Sequence, residues 1–202
     1  IPVNEKPVIE HIIEKFTSFG VKKFYITTNY KSLILKSFFK ELQPNYSVKF
    51  FDEIKPLGTV GGIKHHKKNF KVPFFVTNCD IIIDSDYGDI YNFHKINKND
   101  ITLVASTKDF EIPYGICKLD KRGKLLHIKE KPKQNFLANT GLYVLNPAVL
   151  NLIPKNEFFH MTQLIKIVKA KKMQVGIYPI DESRWVDIGQ WSEYRKTLQL
   201  LK

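Results

Sequence analysis

The stretch FFVTNCDIIIDSD, Phe74 to Asp86, runs apolar, turns polar at Thr77, and sets Asp80 between an Asn-Cys pair and three isoleucines. A carboxylate just past the end of a buried strand can hold a metal, because ligands of open α/β sheets bind at the carboxyl ends of the strands. The same residue type also caps turns. A second stretch, Leu57 to Gly62, has glycines at 58, 61 and 62, which lets backbone approach a flat base or ribose with no side chain between, or simply makes a turn. The acidic pair Asp52-Glu53 stands just upstream of it. Further along, Glu130-Lys131-Pro132 joins a carboxylate that can accept two hydroxyls to an ammonium that can meet a phosphate as a point charge. Glu-Lys pairs are also common as solvated surface. Asp187, in WVDIG, reads equally as a ligand or as the cap of a following helix.

Regularly alternating elements position these residues. Pro7 at a first helical position, then Val8, Ile9, Ile12, Ile13, Phe16 and Phe19 at helical spacing, predict a helix closed by Gly20. KKFYITT reads as a short buried strand, KSLILKSFFKEL as a helix with Leu35, Phe38, Phe39 and Leu42 on one face, and YSVKFFDE as a strand. After the glycine loop come a short helix from Lys64 to Asn69, the strand VPFFVT, a helix from Tyr87 to Ile96 and the strand ITLVAST. YGICKLDKRGKLLHIKEKP predicts two strands around the turn DKRG. The strand TGLYVL, a short helix from Pro147 to Ile153, a helix over TQLIKIVKAKK capped at Thr162, the strand MQVGIYPI and a last helix after WVDIGQW complete the chain. Strands separated by helices pair in parallel through right-handed crossovers. The expected fold is therefore α/β: a Rossmann-like, mostly parallel open sheet with helices on both faces and a β-hairpin insertion, in one domain over residues 1–202.

Composition narrows the classes. Apolar residues make up 43% of the 202-residue chain, and no apolar run approaches the roughly 18 residues of a membrane span, so no membrane partner is expected. The net charge of +12 is nearly all Lys, strewn without interleaved aromatics, which argues against a nucleic-acid partner and suits attraction of small phosphorylated substrates. Cys79 and Cys117 lack any zinc-gripping spacing, so free thiols in a cytoplasmic compartment are expected. His11, His65, His66, His94 and His127 read as solvated or half-buried, and His160 alone stands where it could neighbour a pocket. Trp185 and Trp191 read as packing around the Asp187 loop.

PLGTVGG, NCD, YGI, EKP, NTGLY and WVDIG occur in an order and at spacings that resemble the sugar-1-phosphate nucleotidyltransferase family, and within it the guanylyltransferases of hexose or heptose 1-phosphates. The resemblance runs from residue 1 to the end. It implies a Mg²⁺-dependent reaction in which a sugar 1-phosphate attacks the α-phosphorus of a nucleoside triphosphate, giving a nucleotide sugar and pyrophosphate. The attacking phosphate is already an anion, so charge neutralisation and in-line positioning are needed rather than a nucleophilic side chain. By resemblance Asp80 and Asp187 are the Mg²⁺ ligands and catalytic carboxylates, and Lys131 the catalytic cation that meets the sugar phosphate. Gly58 and Thr59 fall on the nucleotide side, and Gly115, Glu130, Asn139 and Thr140 on the sugar side. Asp52-Glu53 lies where the family reads the base edge. Guanine offers N–H donors there, so an acceptor-only carboxylate at Glu53 favours GTP. Lys6-Pro7 resembles a Lys-Pro that enters the first helix.

Departures from the pattern carry expectations too. The family's G-G-x-G-T-R-L loop and the Lys-Pro after it would precede Ile1, so the domain is expected to be incomplete at its N-terminus, with the first strand missing and its neighbour uncovered. Cys79 stands where the family commonly has Gly. A second reading is a regulatory module that keeps nucleotide-sugar recognition without catalysis, and a third is a basic nucleic-acid-binding protein. The sequence leaves room for a further domain in a longer protein and for a homo-oligomer.

Overall fold

The structure is a computed structural model and describes residues 2–3 and 6–189. A two-residue ladder, β1 (Pro2–Val3) with β2 (Lys6–Pro7), leads into α1 (Val8–Ser18), which buries Val8, Ile12, Ile13 and Phe16 on one stripe. β3 (Lys23–Thr28) and β4 (Ser47–Asp52) pair in parallel across α2 (Ser32–Leu42). A 3-10 helix at Gly61–Asn69 follows, and then β5 (Phe74–Thr77), β6 (Ile81–Ile83) and α3 (Tyr87–Ile96). β7 (Ile101–Glu111), the hairpin β8 (Ile116–Leu119) and β9 (Leu125–Lys129), and β10 (Lys133–Leu145) form the middle of the chain. A 3-10 helix at Pro147–Leu152, α4 (Met161–Ala170), β11 (Val175–Ile180) and β12 (Trp185–Asp187) complete the described elements.

The largest sheet has the order β11-β7-β10-β5. β7 and β11 run in parallel, and β10 opposes both of its neighbours, so β5, β7 and β11 share one direction. The expected α/β architecture is present, with β10 reversed because the β8–β9 hairpin returns the chain directly beside β7, where only an antiparallel ladder can form. Alternation along the strands divides the core. Leu142 and Val144 of β10 join Val104, Ile90, Tyr87 and α1 on one face, while Tyr143 and Leu145 join Ile101, Leu164, Val168 and Met161 of α4 on the other. Two of the three ladders in this sheet are antiparallel and one is parallel, so it is a mixed sheet, and helices bury both of its faces.

Differences from the sequence-based boundaries have physical causes. β7 and β10 extend well beyond ITLVAST and TGLYVL, and their added halves are almost wholly exposed, so no apolar alternation marks them. The two short helices are 3-10 rather than α. His160, not Thr162, is the N-cap of α4: the side-chain oxygen of Gln163 reaches back and accepts from the His160 N–H at 2.7 Å, an arrangement set by the glutamine three residues on. The last helix expected after WVDIGQW, with Trp191, lies outside the described residues. Trp185 packs beside the first core under the Lys108 ammonium, which sits 4.9 Å from its ring centroid.

Candidate active site

Asp80 follows β5 by three residues, and β6 begins immediately after it. β12 runs antiparallel to β6 with Asp187 opposite Ile81, and the Ile188 N–H donates to the Asp80 carbonyl at 2.8 Å. Two acids from distant parts of the chain are thus fixed side by side by main-chain pairing. Between them lies Gly189, where a Cβ would sit 2.9 Å from Asp80 Oδ2 and 3.1 Å from Asp187 Oδ1. The Gly189 N–H also donates to Asp187 Oδ1 at 3.0 Å. A side chain at this position would push the carboxylates apart, so its absence is what lets both reach one point.

Two carboxylates with no cluster of three or more His, Cys, Asp or Glu among the described residues are an all-oxygen, incomplete donor set. That set fits Mg²⁺, which keeps waters and is held by one or two carboxylates plus substrate oxygens, and does not suit a closed zinc site. Beside Asp80, burial first and the Asp80 charge second push the Cys79 thiol pKa up.

The glycine loop is clamped from two sides. Gly58 adopts φ +76, and a Cβ there would lie 2.6 Å from the Phe159 carbonyl oxygen, so only glycine fits both conformation and space. Main-chain bonds tie Phe159 N to Leu57 O at 2.9 Å and Val60 N to Phe159 O at 3.2 Å. The Thr59 hydroxyl accepts from Met161 N at 2.9 Å and lies 3.5 Å from His160 Nδ1. Thr59 therefore locks the loop to the start of α4, and His160 neighbours the glycine loop. On the other side Glu53 Oε2 accepts from Leu57 N at 2.9 Å, and its Oε1 packs on Gly62, where a Cβ would come within 2.2 Å. Asp52 is engaged elsewhere: Lys36 and then Thr28 hold its carboxyl pKa below the usual range.

On the remaining side β10 breaks register against β7 between Asn139 and Tyr143. Asn139 makes this bulge, accepting from Gly141 N at 3.2 Å and donating to the Tyr143 hydroxyl at 2.6 Å. Thr140 is 2% exposed and donates to the Val104 carbonyl at 2.8 Å, so any ligand contact from it would come through main chain. Gly141, at φ +91, lies against the Asn78 amide, two residues before Asp80. Glu130 and Lys131 are exposed at the root of the hairpin, and Glu130 Oε2 lies 2.8 Å from where a Gly115 Cβ would be.

The structure thus joins Asp80 to Asp187, Gly58 and Thr59 to α4, Gly115 to Glu130, and the Asn139–Gly141 bulge to Asn78. Sequence reasoning missed Gly189 and Asn78. Gly189 had a readable trace in WVDIG, a glycine two residues after the acid, whereas nothing local marks Asn78 as the partner of Gly141.

The family model for "Nucleotidyl transferase" matches residues 1–202. A mannose-1-phosphate guanyltransferase of Yarrowia lipolytica is 30% identical over 205 residues, covering 96% of this chain and 55% of the relative. One of Candida albicans is 31% identical, covering 96% and 56%. The chain spans about half the length of these curated relatives. Among solved structures, HddC of Yersinia pseudotuberculosis superposes with a TM-score of 0.76 at 22% identity, over 100% of this chain and 88% of that one. A nucleoside-diphosphate-sugar pyrophosphorylase of Vibrio cholerae gives 0.62 at 14% identity, over 98% and 90%. At these identities the solved structures establish the fold, while the match along the whole sequence establishes the lineage: the chain belongs to the nucleotidyl transferase family.

Proposed function

We propose that the chain is the catalytic domain of an enzyme that joins a sugar 1-phosphate to a nucleoside triphosphate, GTP by preference, to give a nucleotide sugar and pyrophosphate. The observation that carries this reading is the convergence of Asp80 and Asp187 on the side-chain-free face of Gly189, at the carboxyl end of β5. The relatives' name, mannose-1-phosphate guanyltransferase, and a solved HddC complexed with GMP-PN support the choice of base and substrate class.

In the reaction a phosphate oxygen of the sugar 1-phosphate forms a bond to the α-phosphorus, and the bond from that phosphorus to the bridging oxygen breaks as pyrophosphate leaves. Mg²⁺, held by Asp80 and Asp187, would neutralise phosphate charge there. The clamped glycine loop offers main chain at Gly58 to the nucleoside, with Thr59 holding that loop rigid. Glu53 braces the same loop through Oε2 and leaves acceptor capacity for the guanine edge. Lys131 meets the sugar phosphate, Glu130 and the Gly115 backbone meet sugar hydroxyls, and Asn139 with Thr140 completes the sugar side. Both cysteines are free, which supports a reducing, cytoplasmic setting.

The test is pyrophosphate release by the longer protein across four nucleoside triphosphates and a panel of sugar 1-phosphates. Release with GTP that falls by at least about a hundredfold in Asp80→Asn is the expected result. Silence across the panel, with nucleotide sugar still bound, would replace this reading with the regulatory module.

A further inference from the structure

Asn139 stands where β10 breaks register against β7, and both ends of its side-chain amide are held. The Gly141 N–H donates to Oδ1 at 3.2 Å, which turns the oxygen end toward the bulge. Nδ2 donates to the Tyr143 hydroxyl at 2.6 Å. An amide has two N–H donors and two oxygen lone pairs, so these bonds leave it one donor and one acceptor. A sugar hydroxyl both gives and takes hydrogen bonds, which suits that remaining pair.

The bond to Tyr143 exists because of the bulge. At about 3.3 Å per residue, positions four apart stand about 13 Å apart along a regular strand, beyond the combined reach of the two side chains. Three more bonds set the shape that closes this gap. The Thr140 hydroxyl donates to the Val104 carbonyl at 2.8 Å and accepts from Leu142 N at 3.3 Å, and Asn78 N donates to the Gly141 carbonyl at 3.1 Å. Tyr143 is 5% exposed, and its ring packs in the second core with Val149, Leu150, Phe159 and Leu164. Phe159 is also the residue whose main chain clamps the glycine loop at Leu57 and Val60. The Asn139 amide is thereby referenced to the same packed core that holds the nucleotide side. A phenylalanine ring would fill that core as a tyrosine does; the hydroxyl adds the bond to Asn139. Burial raises the pKa of this phenol more than the Asn139 bond lowers it, so the hydroxyl stays protonated at neutral pH.

We propose that Tyr143 is a positioning residue for sugar recognition: its hydroxyl holds the Asn139 amide in one orientation, so that the free N–H and lone pair of that amide meet a hydroxyl of the sugar 1-phosphate. This role rests on the assignment of Asn139 to the sugar side in the proposed reaction. Tyr143 itself touches no substrate. It acts through Asn139, and the gain is pre-organisation, since an amide already fixed at both ends loses little rotational freedom when the sugar arrives.

Tyr143→Phe in the longer protein removes the hydroxyl and keeps the ring. The KM for mannose 1-phosphate, the substrate in the relatives' name, should rise about fivefold, while kcat and the KM for GTP stay within about twofold. In an Asn139→Ala background the same substitution should change nothing further, because the amide it orients is gone. Nuclear magnetic resonance of the Asn139 side-chain N–H pair gives a readout without turnover: the pair should shift on addition of mannose 1-phosphate to the wild-type protein and shift less in Tyr143→Phe. A tyrosine that serves packing alone would leave the KM for mannose 1-phosphate unchanged, or raise it equally with and without Asn139. Either result would overturn the proposal while the proposed reaction stands. A wild-type protein that binds no sugar 1-phosphate would overturn the reaction, and the role of Tyr143 with it.

Discussion

Asp80 and Asp187 stand beside strands that pack into the first core, whereas Glu130 and Lys131 stand at the root of a hairpin whose residues are exposed on both faces. The acids are placed by main chain: Asp187 is paired with Ile81, and Ile188 donates to Asp80. The hairpin is held by its own ladder and by the outer halves of β7 and β10, with Phe110 against Phe136 as its ring contact at 5.8 Å. Charge neutralisation at phosphorus is the same for every sugar and tolerates little displacement. Hydroxyl recognition differs from sugar to sugar.

The largest expected effect comes from closing the gap between the acids. Gly189→Ala puts a Cβ against both carboxylates and should lower turnover by about a hundredfold in the pyrophosphate assay, with the unfolding midpoint little changed. Next, the two regions should differ in stability. Ile83→Ala in the first core, where Ile83 is 2% exposed, should cost about 3 kcal/mol in urea unfolding, while Leu126→Ala on the hairpin, where Leu126 is 59% exposed, should stay within about 0.5 kcal/mol. Equal costs would erase the contrast. Gly141→Ala, strained at φ +91 and pressed on Asn78, should cost about 1–2 kcal/mol and raise the KM for sugar phosphate more than that for nucleotide. Thr59→Val, which leaves the Met161 N–H without its acceptor, should cost about 1 kcal/mol and raise the KM for nucleotide instead.

The smallest effect is on pH. His94 is 1% exposed, with Nδ1 2.9 Å from the Thr102 hydroxyl, and burial lowers its pKa from 6.5, opposed in part by Asp100. The neutral ring is therefore favoured in the folded chain. As pH falls through the unfolded value near 6.5 the unfolded chain takes up the proton first, so stability declines until the folded pKa is passed. Urea midpoints between pH 7.5 and 5 (about the range over which imidazoles titrate) should fall less steeply in His94→Phe.

The helices and strands with strong apolar periodicity were legible in the sequence, α3 to its boundaries. The outer halves of β7 and β10 were not, because strands exposed on both faces carry no alternation. Asp80 could be read locally as a strand-end carboxylate, but its meeting with Asp187 rests on a β6–β12 ladder between distant segments, and only the family resemblance suggested it. Glu53 shows the same limit from the other side. Its acceptor chemistry was readable, while its inward bond to Leu57 depends on a loop conformation set by Phe159 and Gly62. At α4 the rule that Thr favours N-caps misled, since the glutamine at position 163 did the capping.

In the proposed reaction Asp80 and Asp187 act on one cation. Mn²⁺ binding followed by electron paramagnetic resonance, in the presence of GTP, tests it most directly in the wild-type protein, Asp80→Asn and Asp187→Asn. Each single substitution should weaken binding at least about tenfold, and the double substitution should add little to either, as expected for two ligands of one ion. Mn²⁺ affinity unchanged in Asp187→Asn would contradict it.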